Sequence, residues 1–114
     1  MKHTMNLNPR PFEMISDGRK TIEMRLNDEK RRLIQEGDEI EFVSTADSSK
    51  KLNCRVIRLH CFPSFEELYK VLPLIKCGYT EENISQADPA DMEKYYSKER
   101  QAEYGVLGIE LTVI

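Results

Sequence analysis

An α+β fold, with strands that wrap toward a small barrel, is predicted by three features of the sequence. Ile22, Met24 and Leu26 alternate with Thr21, Glu23 and Arg25, the period-two pattern of a half-buried strand. The run Leu52 to Phe62 begins with its apolar register on Leu52, Cys54 and Val56 and then passes to Ile57 and Leu59. Such a change of buried face suits a strand that bends around a small barrel. Ser64-Phe65-Glu66-Glu67 matches a capping box, and Phe65, Leu68, Tyr69 and Leu72 follow at the spacing of one helix face.

The remaining elements follow in order. Lys2 to Leu7 reads as a first strand, and Asn8-Pro9 as an N-cap with proline in the first helical position. The short helix that follows buries Phe12 and Ile15 and stops at Asp17-Gly18. After the charged strand, Asn27 or Asp28 caps a short basic helix through about Ile34. Gly37-Asp38 turns the chain into a strand from Glu39 to Ser44, and Ala46 to Lys50 is a hairpin tip. Pro73 limits the capping-box helix, a short turn ends at Gly78, and Tyr79 to Gln86 is loop-rich. Asp88-Pro89 opens a last helix to about Tyr104, on which Met92, Tyr95, Tyr96 and Glu99 share a face. Gly105 ends it, and Val106 to Ile114 reads as an apolar central strand.

With 114 residues, residues 1–114 form one domain with a core of its own and no room for a second. No apolar run reaches the length of a signal peptide or a membrane span, so the expectation is a cytoplasmic protein without a membrane partner. Cys54, Cys61 and Cys77 are an odd number without paired spacing, which indicates neither a disulfide framework nor a metal site and leaves buried thiols. His3 and His60 lack metal or nucleophile spacing and are assigned to structure.

The net charge of −3 excludes a protein that coats nucleic acid by bulk attraction. Its distribution is uneven. Arg19 to Arg32 holds six bases against three acids, so this segment carries +3 and the rest −6, a field that focuses an anion on one region. For Lys30, Arg31 and Arg32, an ordinary ion-paired helix face and a binding role both remain open.

The segment Gly18-Arg19-Lys20-Thr21-Ile22-Glu23-Met24-Arg25 fits the pattern GxKxxExR. It is preceded by Pro11-Phe12-Glu13 and followed by Gly37-Asp38 ahead of an extended run. With Tyr95-Tyr96-Ser97 and the closing Gly105-Val106-Leu107-Gly108-Ile109, it resembles the ASCH domain family over essentially the whole chain. The resemblance implies a PUA-like mixed β-barrel of about five to six strands with flanking short helices, a cleft suited to RNA or a modified nucleoside, and no cofactor. Some bacterial proteins with this domain are amidohydrolases that remove the acetyl group from acetylated cytidine, and they are similar to this chain in the Gly18–Ile22 segment. By that likeness Lys20 is a catalytic residue. The chain departs from them in offering Glu23 where they carry a threonine, and Glu81, Glu82 or Glu99 is the candidate for the later acid.

Apart from resemblance, Lys20 stands at the head of a strand beside a glycine, where a long amine reaches into a cleft, and partial burial would fit it for base or nucleophile work. Glu23 and Arg25, two apart on one strand face, can pair or flank a bound group. The guanidinium fork meets phosphate or a base edge, and the carboxylate accepts from an exocyclic amine. Lys20 and Glu23 are therefore the candidate catalytic residues, and Arg19, Arg25, Arg31, Tyr96, Ser97 and Glu99 the candidate binding residues. Tyr79, Tyr95, Tyr96 and Tyr104 offer stacking rings, with core packing favoured for Tyr95 and Tyr96. The leading function is binding of RNA or a modified nucleotide. The alternatives are a metal-independent amidohydrolase acting on an acylated nucleoside and a protein-interaction module.

Overall fold

A computed structural model describes all 114 residues. In chain order it comprises β1 (Lys2–Leu7), α1 (Pro9–Ser16), β2 (Ile22–Leu26), β3 (Glu39–Ser44), β4 (Lys51–Phe62), α2 (Phe65–Val71), α3 (Lys98–Tyr104) and β5 (Val106–Val113). The strands form one mixed sheet in the order β1-β3-β4-β5-β2. The pair β1 and β3 is parallel, with Met5 opposite Phe42, and the other pairs are antiparallel. No helix is long and apolar enough to cross a membrane.

The expected change of register in β4 is present as a bulge, but the buried face does not pass to Ile57 as its apolar side chain suggested. Val56 pairs with Leu111 and Arg58 with Glu110, so Ile57 is the extra residue between them. Cys54 and Val56 are buried before the bulge, whereas Ile57 is pushed out to 47% exposure. A bulge sharpens local twist, and here it curls the long strand so that the sheet becomes a half-barrel. One core, with Leu7, Ile15, Ile40, Phe42 and Ile109, joins α1 to β1, β3 and β5. A second, with Ile22, Leu26, Phe65, Leu68 and Val106, lies under α2. Helix α2 starts where expected because the Ser64 hydroxyl accepts from the Glu67 amide at 3.4 Å. Burying Phe65 and Leu68 completely contributes about 2 kcal/mol each.

Four expectations are corrected. Strand β2 does not turn one face to solvent: Ile22, Glu23, Met24 and Leu26 are all buried. The basic segment forms only a 3-10 turn at Arg31–Leu33, although Asp28 accepts from the amide of Arg31 as a cap would, and from its side chain as well. The helix expected from Pro89 to Tyr104 divides into a 3-10 turn at Pro89–Met92 and α3. Arg100 gives its amide to the Ser97 hydroxyl, while the buried Gln101 amide donates to the carbonyl of Tyr96 and accepts from the amide of Phe65. Of the thiols, Cys54 and Cys77 are buried but Cys61 is exposed on β4.

Candidate functional site

Edge strands β1 and β2 face each other across the open side of the half-barrel without strand pairing. Arg25 bridges the seam. Its Nη2 donates to the carbonyl of Asn6 on β1 at 2.7 Å, and its Nε donates to Glu23 Oε2 at 2.7 Å. The other Glu23 oxygen, Oε1, lies 2.7 Å from Lys20 Nζ. One carboxylate thus holds two cations, and their side chains are only 9% (Lys20), 6% (Glu23) and 12% (Arg25) exposed.

Lys20 enters this cluster because alternation fails just before the strand. The amides of Thr21 and Ile22 both donate to one carbonyl, that of Lys76, at 2.9 Å each. A residue is lost from the period-two count, and Lys20 comes round to the side of Glu23 instead of the core side that its parity with Ile22 implied. Gly78, at φ +113°, lies against the lysine stem; a Cβ there would stand 3.3 Å from Lys20 Cδ.

Burial by itself pushes the Glu23 carboxyl up, but the charges of Lys20 and Arg25 outweigh it and hold the group below the ordinary carboxylate range. Burial likewise opposes the Arg25 charge, and Glu23 with the nearby Tyr96 phenol reverses the effect, so the guanidinium is held above its ordinary value.

Above the trio is a cavity of about 340 Å³, within the size range of small-molecule sites. Lys20, Glu23 and Arg25 form its charged wall, and Tyr95 and Tyr96 its aromatic side. Asn6, Asn8 and Thr45 supply neutral polar groups that the sequence did not single out. The Asn8 side chain makes no capping bond to α1, contrary to its expected role; its Oδ1 accepts from the Thr45 hydroxyl at 3.0 Å. The two meet because β1 and β3 run parallel, so their C-terminal ends lie side by side. No local signal in either segment reports that.

The other predicted residues lie elsewhere. Arg19 is exposed in the turn after α1, donating to Asp17 at 2.9 Å, and that interaction holds the Asp17 carboxyl below its ordinary value. Arg31 is paired with Asp28 at 2.8 Å and lines neither this cavity nor its neighbour. Ser97 is the N-cap of α3, and Glu99 is exposed in that helix's first turn. Glu81 and Glu82 are exposed and line no part of the cavity. Tyr96 does reach the cavity, but its ring packs on Phe65 with centroids 6.0 Å apart; Tyr95, expected in the core, is 57% exposed at the rim. No group of three or more His, Cys, Asp or Glu side chains is arranged to hold a metal ion.

A wider groove of about 940 Å³ lies between the start of α2 and α3. Glu66, Asp88, Glu93 and Glu103 line it, with Lys98 as the single base, so it repels phosphate.

The half-barrel with its short helices is the PUA-like fold of ASCH proteins. A family model for the ASCH domain matches residues 5–114, and the chain belongs to that family. Among solved structures it is similar to the hypothetical protein PH0355, with 34% identity, a TM-score of 0.81 and 100% of both chains covered. It is also similar to protein PF0455 from Pyrococcus furiosus, with 31% identity, a TM-score of 0.76 and coverage of 100% of this chain and 98% of that one. The ASCH protein of Zymomonas mobilis shares the fold at 14% identity, with a TM-score of 0.67 over 97% of this chain and 68% of that chain. A search of curated proteins finds no match.

Proposed function

We propose that the protein binds RNA or a modified nucleotide, with an unpaired nucleobase in the seam cavity. The observation that carries this reading is the buried Lys20–Glu23–Arg25 trio in the wall of a cavity rimmed by Tyr95 and Tyr96. A base presents donors and acceptors on its edge and a flat π-face. Lys20 and Arg25 are donors, Glu23 and the Asn side chains can accept, and the exposed ring of Tyr95 is a stacking platform. Both cations already satisfy Glu23, so the wall suits a neutral polar group better than a bare anion.

Amide hydrolysis at the same place is the second reading, motivated by the burial of Lys20 beside an acid. A carboxyl held below its ordinary range is a weak base, which favours binding over turnover by Glu23.

Calorimetric titration of the full chain with cytidine, acetylated cytidine and a short single-stranded oligoribonucleotide at low salt tests the assignment. Saturable binding is expected, weakened on the order of tenfold by Tyr95→Ala through loss of stacking. Release of acetate from acetylated cytidine, abolished in Lys20→Ala, would establish the hydrolase reading instead. Absence of binding to all three ligands overturns the proposal.

A further inference from the structure

A second cavity, of about 370 Å³, adjoins the first. Pro11, Lys20, Met24, Met92 and Tyr95 belong to the walls of both, so the two are chambers of one depression divided by a partition of side chains. Their electrostatics differ. In the first, Lys20 and Arg25 are committed to Glu23 at 2.7 Å. In the second, Arg10 from α1 and Lys94 from the segment before α3 stand in the wall, and neither makes an ion pair. Lys94 instead lies over the ring of Tyr95, its Nζ 5.2 Å from the centroid. The one acid of this chamber, Asp91, is itself engaged, accepting from the Tyr79 hydroxyl at 3.0 Å and from the Asp88 amide at 3.2 Å. Tyr79 in turn accepts from Tyr69 at 2.7 Å.

A phosphate entering the first chamber would have to compete with Glu23 for its cations, whereas in the second it meets two that no carboxylate holds. Building on the nucleobase reading above, we infer that the ligand is a nucleoside carrying a phosphate, whose base fills the Lys20–Glu23–Arg25 chamber while the phosphate lies across Tyr95 between Arg10 and Lys94. Tyr95 is placed to face both parts. The same chemistry is offered by a mononucleotide and by a single strand, and a strand would also continue along the second chamber past Asn83 and Tyr79.

The test is titration of the full chain with cytidine, cytidine monophosphate and a short single-stranded oligoribonucleotide, each across a salt series, for the native sequence, the double variant Arg10→Ala/Lys94→Ala and the charge-preserving Arg10→Lys/Lys94→Arg. Native protein is expected to bind the phosphorylated ligands at least tenfold tighter than cytidine. The alanine variant should bind them no tighter than cytidine, with a salt slope on the oligoribonucleotide shallower by about 0.7 for each phosphate that is no longer neutralised. The charge-preserving variant should recover most of the difference. Equal gain from the monophosphate and the strand identifies a mononucleotide ligand, and further gain from the strand identifies a strand; both support the inference. If cytidine binds but phosphate adds nothing, or the alanine variant keeps the native gain and slope, the second chamber has no such role while the base site stands. If nothing binds, both fall together.

Discussion

Neutralising Glu23 would leave two nearly buried cations without the carboxylate that both of them hold. Replacing it as Glu23→Gln keeps the shape of the side chain and removes the charge that holds Lys20 Nζ and Arg25 Nε at 2.7 Å. Two cations, at 9% and 12% side-chain exposure, are then left facing each other with no counter-charge. Breaking a buried pair in this way costs about 3–5 kcal/mol, because the partner's desolvation is no longer offset. For a chain of 114 residues that is a fall in Tm on the order of 10 °C or more. The pH dependence has a definite sign. The folded-state carboxyl lies below its ordinary value of 4.5, so the unfolded chain takes up the proton first as pH falls. Glu23 therefore stabilises the protein fully above about pH 4.5, and this contribution is lost as pH drops below that value toward the folded pKa. Thermal melts followed by circular dichroism from pH 7 down to about pH 3 provide the assay. The native protein should lose stability more steeply than the variant in the acid window, so the two curves converge. A variant that melts with the native protein at pH 7, or keeps the native acid slope, would refute the enclosure of Glu23 between its two cations.

Two further outcomes follow from close approaches of the backbone. A Cβ on Gly108 of β5 would lie 2.7 Å from Leu72 Cδ1 and 3.5 Å from Ile22 Cγ2, so Gly108→Ala is expected to destabilise by about 1–3 kcal/mol in chemical denaturation, and an unchanged midpoint would show that the Leu72 side chain yields freely. Gly78→Ala meets both a φ of +113° and Lys20 Cδ at 3.3 Å; it should lower stability by about 1 kcal/mol or more and weaken nucleoside binding by displacing the amine, whereas native affinity in calorimetry would remove Gly78 from the positioning of Lys20.

The strands and α2 are legible in the sequence because their signals are local. Alternation in Glu39–Ser44, the shift of register after Val56 and the hydroxyl of Ser64 three residues before Glu67 each act within a few residues of themselves. The last helix misleads because Met92, Tyr95, Tyr96 and Glu99 do fall at helical spacing, and nothing nearby in the sequence forbids it. What divides it is Gln101, whose amide takes the Tyr96 carbonyl and the Phe65 amide across the fold, leaving the Ser97 hydroxyl to receive Arg100. For Arg32 the sequence leaves a surface helix face and a binding role both open, and only the fold decides: it donates to the carbonyls of Asn27 and Tyr104 and lies over the Tyr104 ring, fastening the corner before β5.

The amino-acid order alone settled the strand and α2 assignments, the family resemblance and the prominence of Lys20, Glu23 and Arg25, since all of these depend on residue type and short spacing. Tertiary structure decided that the trio is enclosed instead of solvated, that Asn6, Asn8 and Thr45 join it, and that Arg19, Arg31, Ser97 and Glu99 do not. The reason is geometric: the cluster lies on a seam between β1 and β2, strands about twenty residues apart in the chain and at opposite edges of the sheet. Which side chains meet there is set by the curl of the sheet and by the doubled hydrogen bond to the Lys76 carbonyl, and neither is written in the periodicity of any single segment.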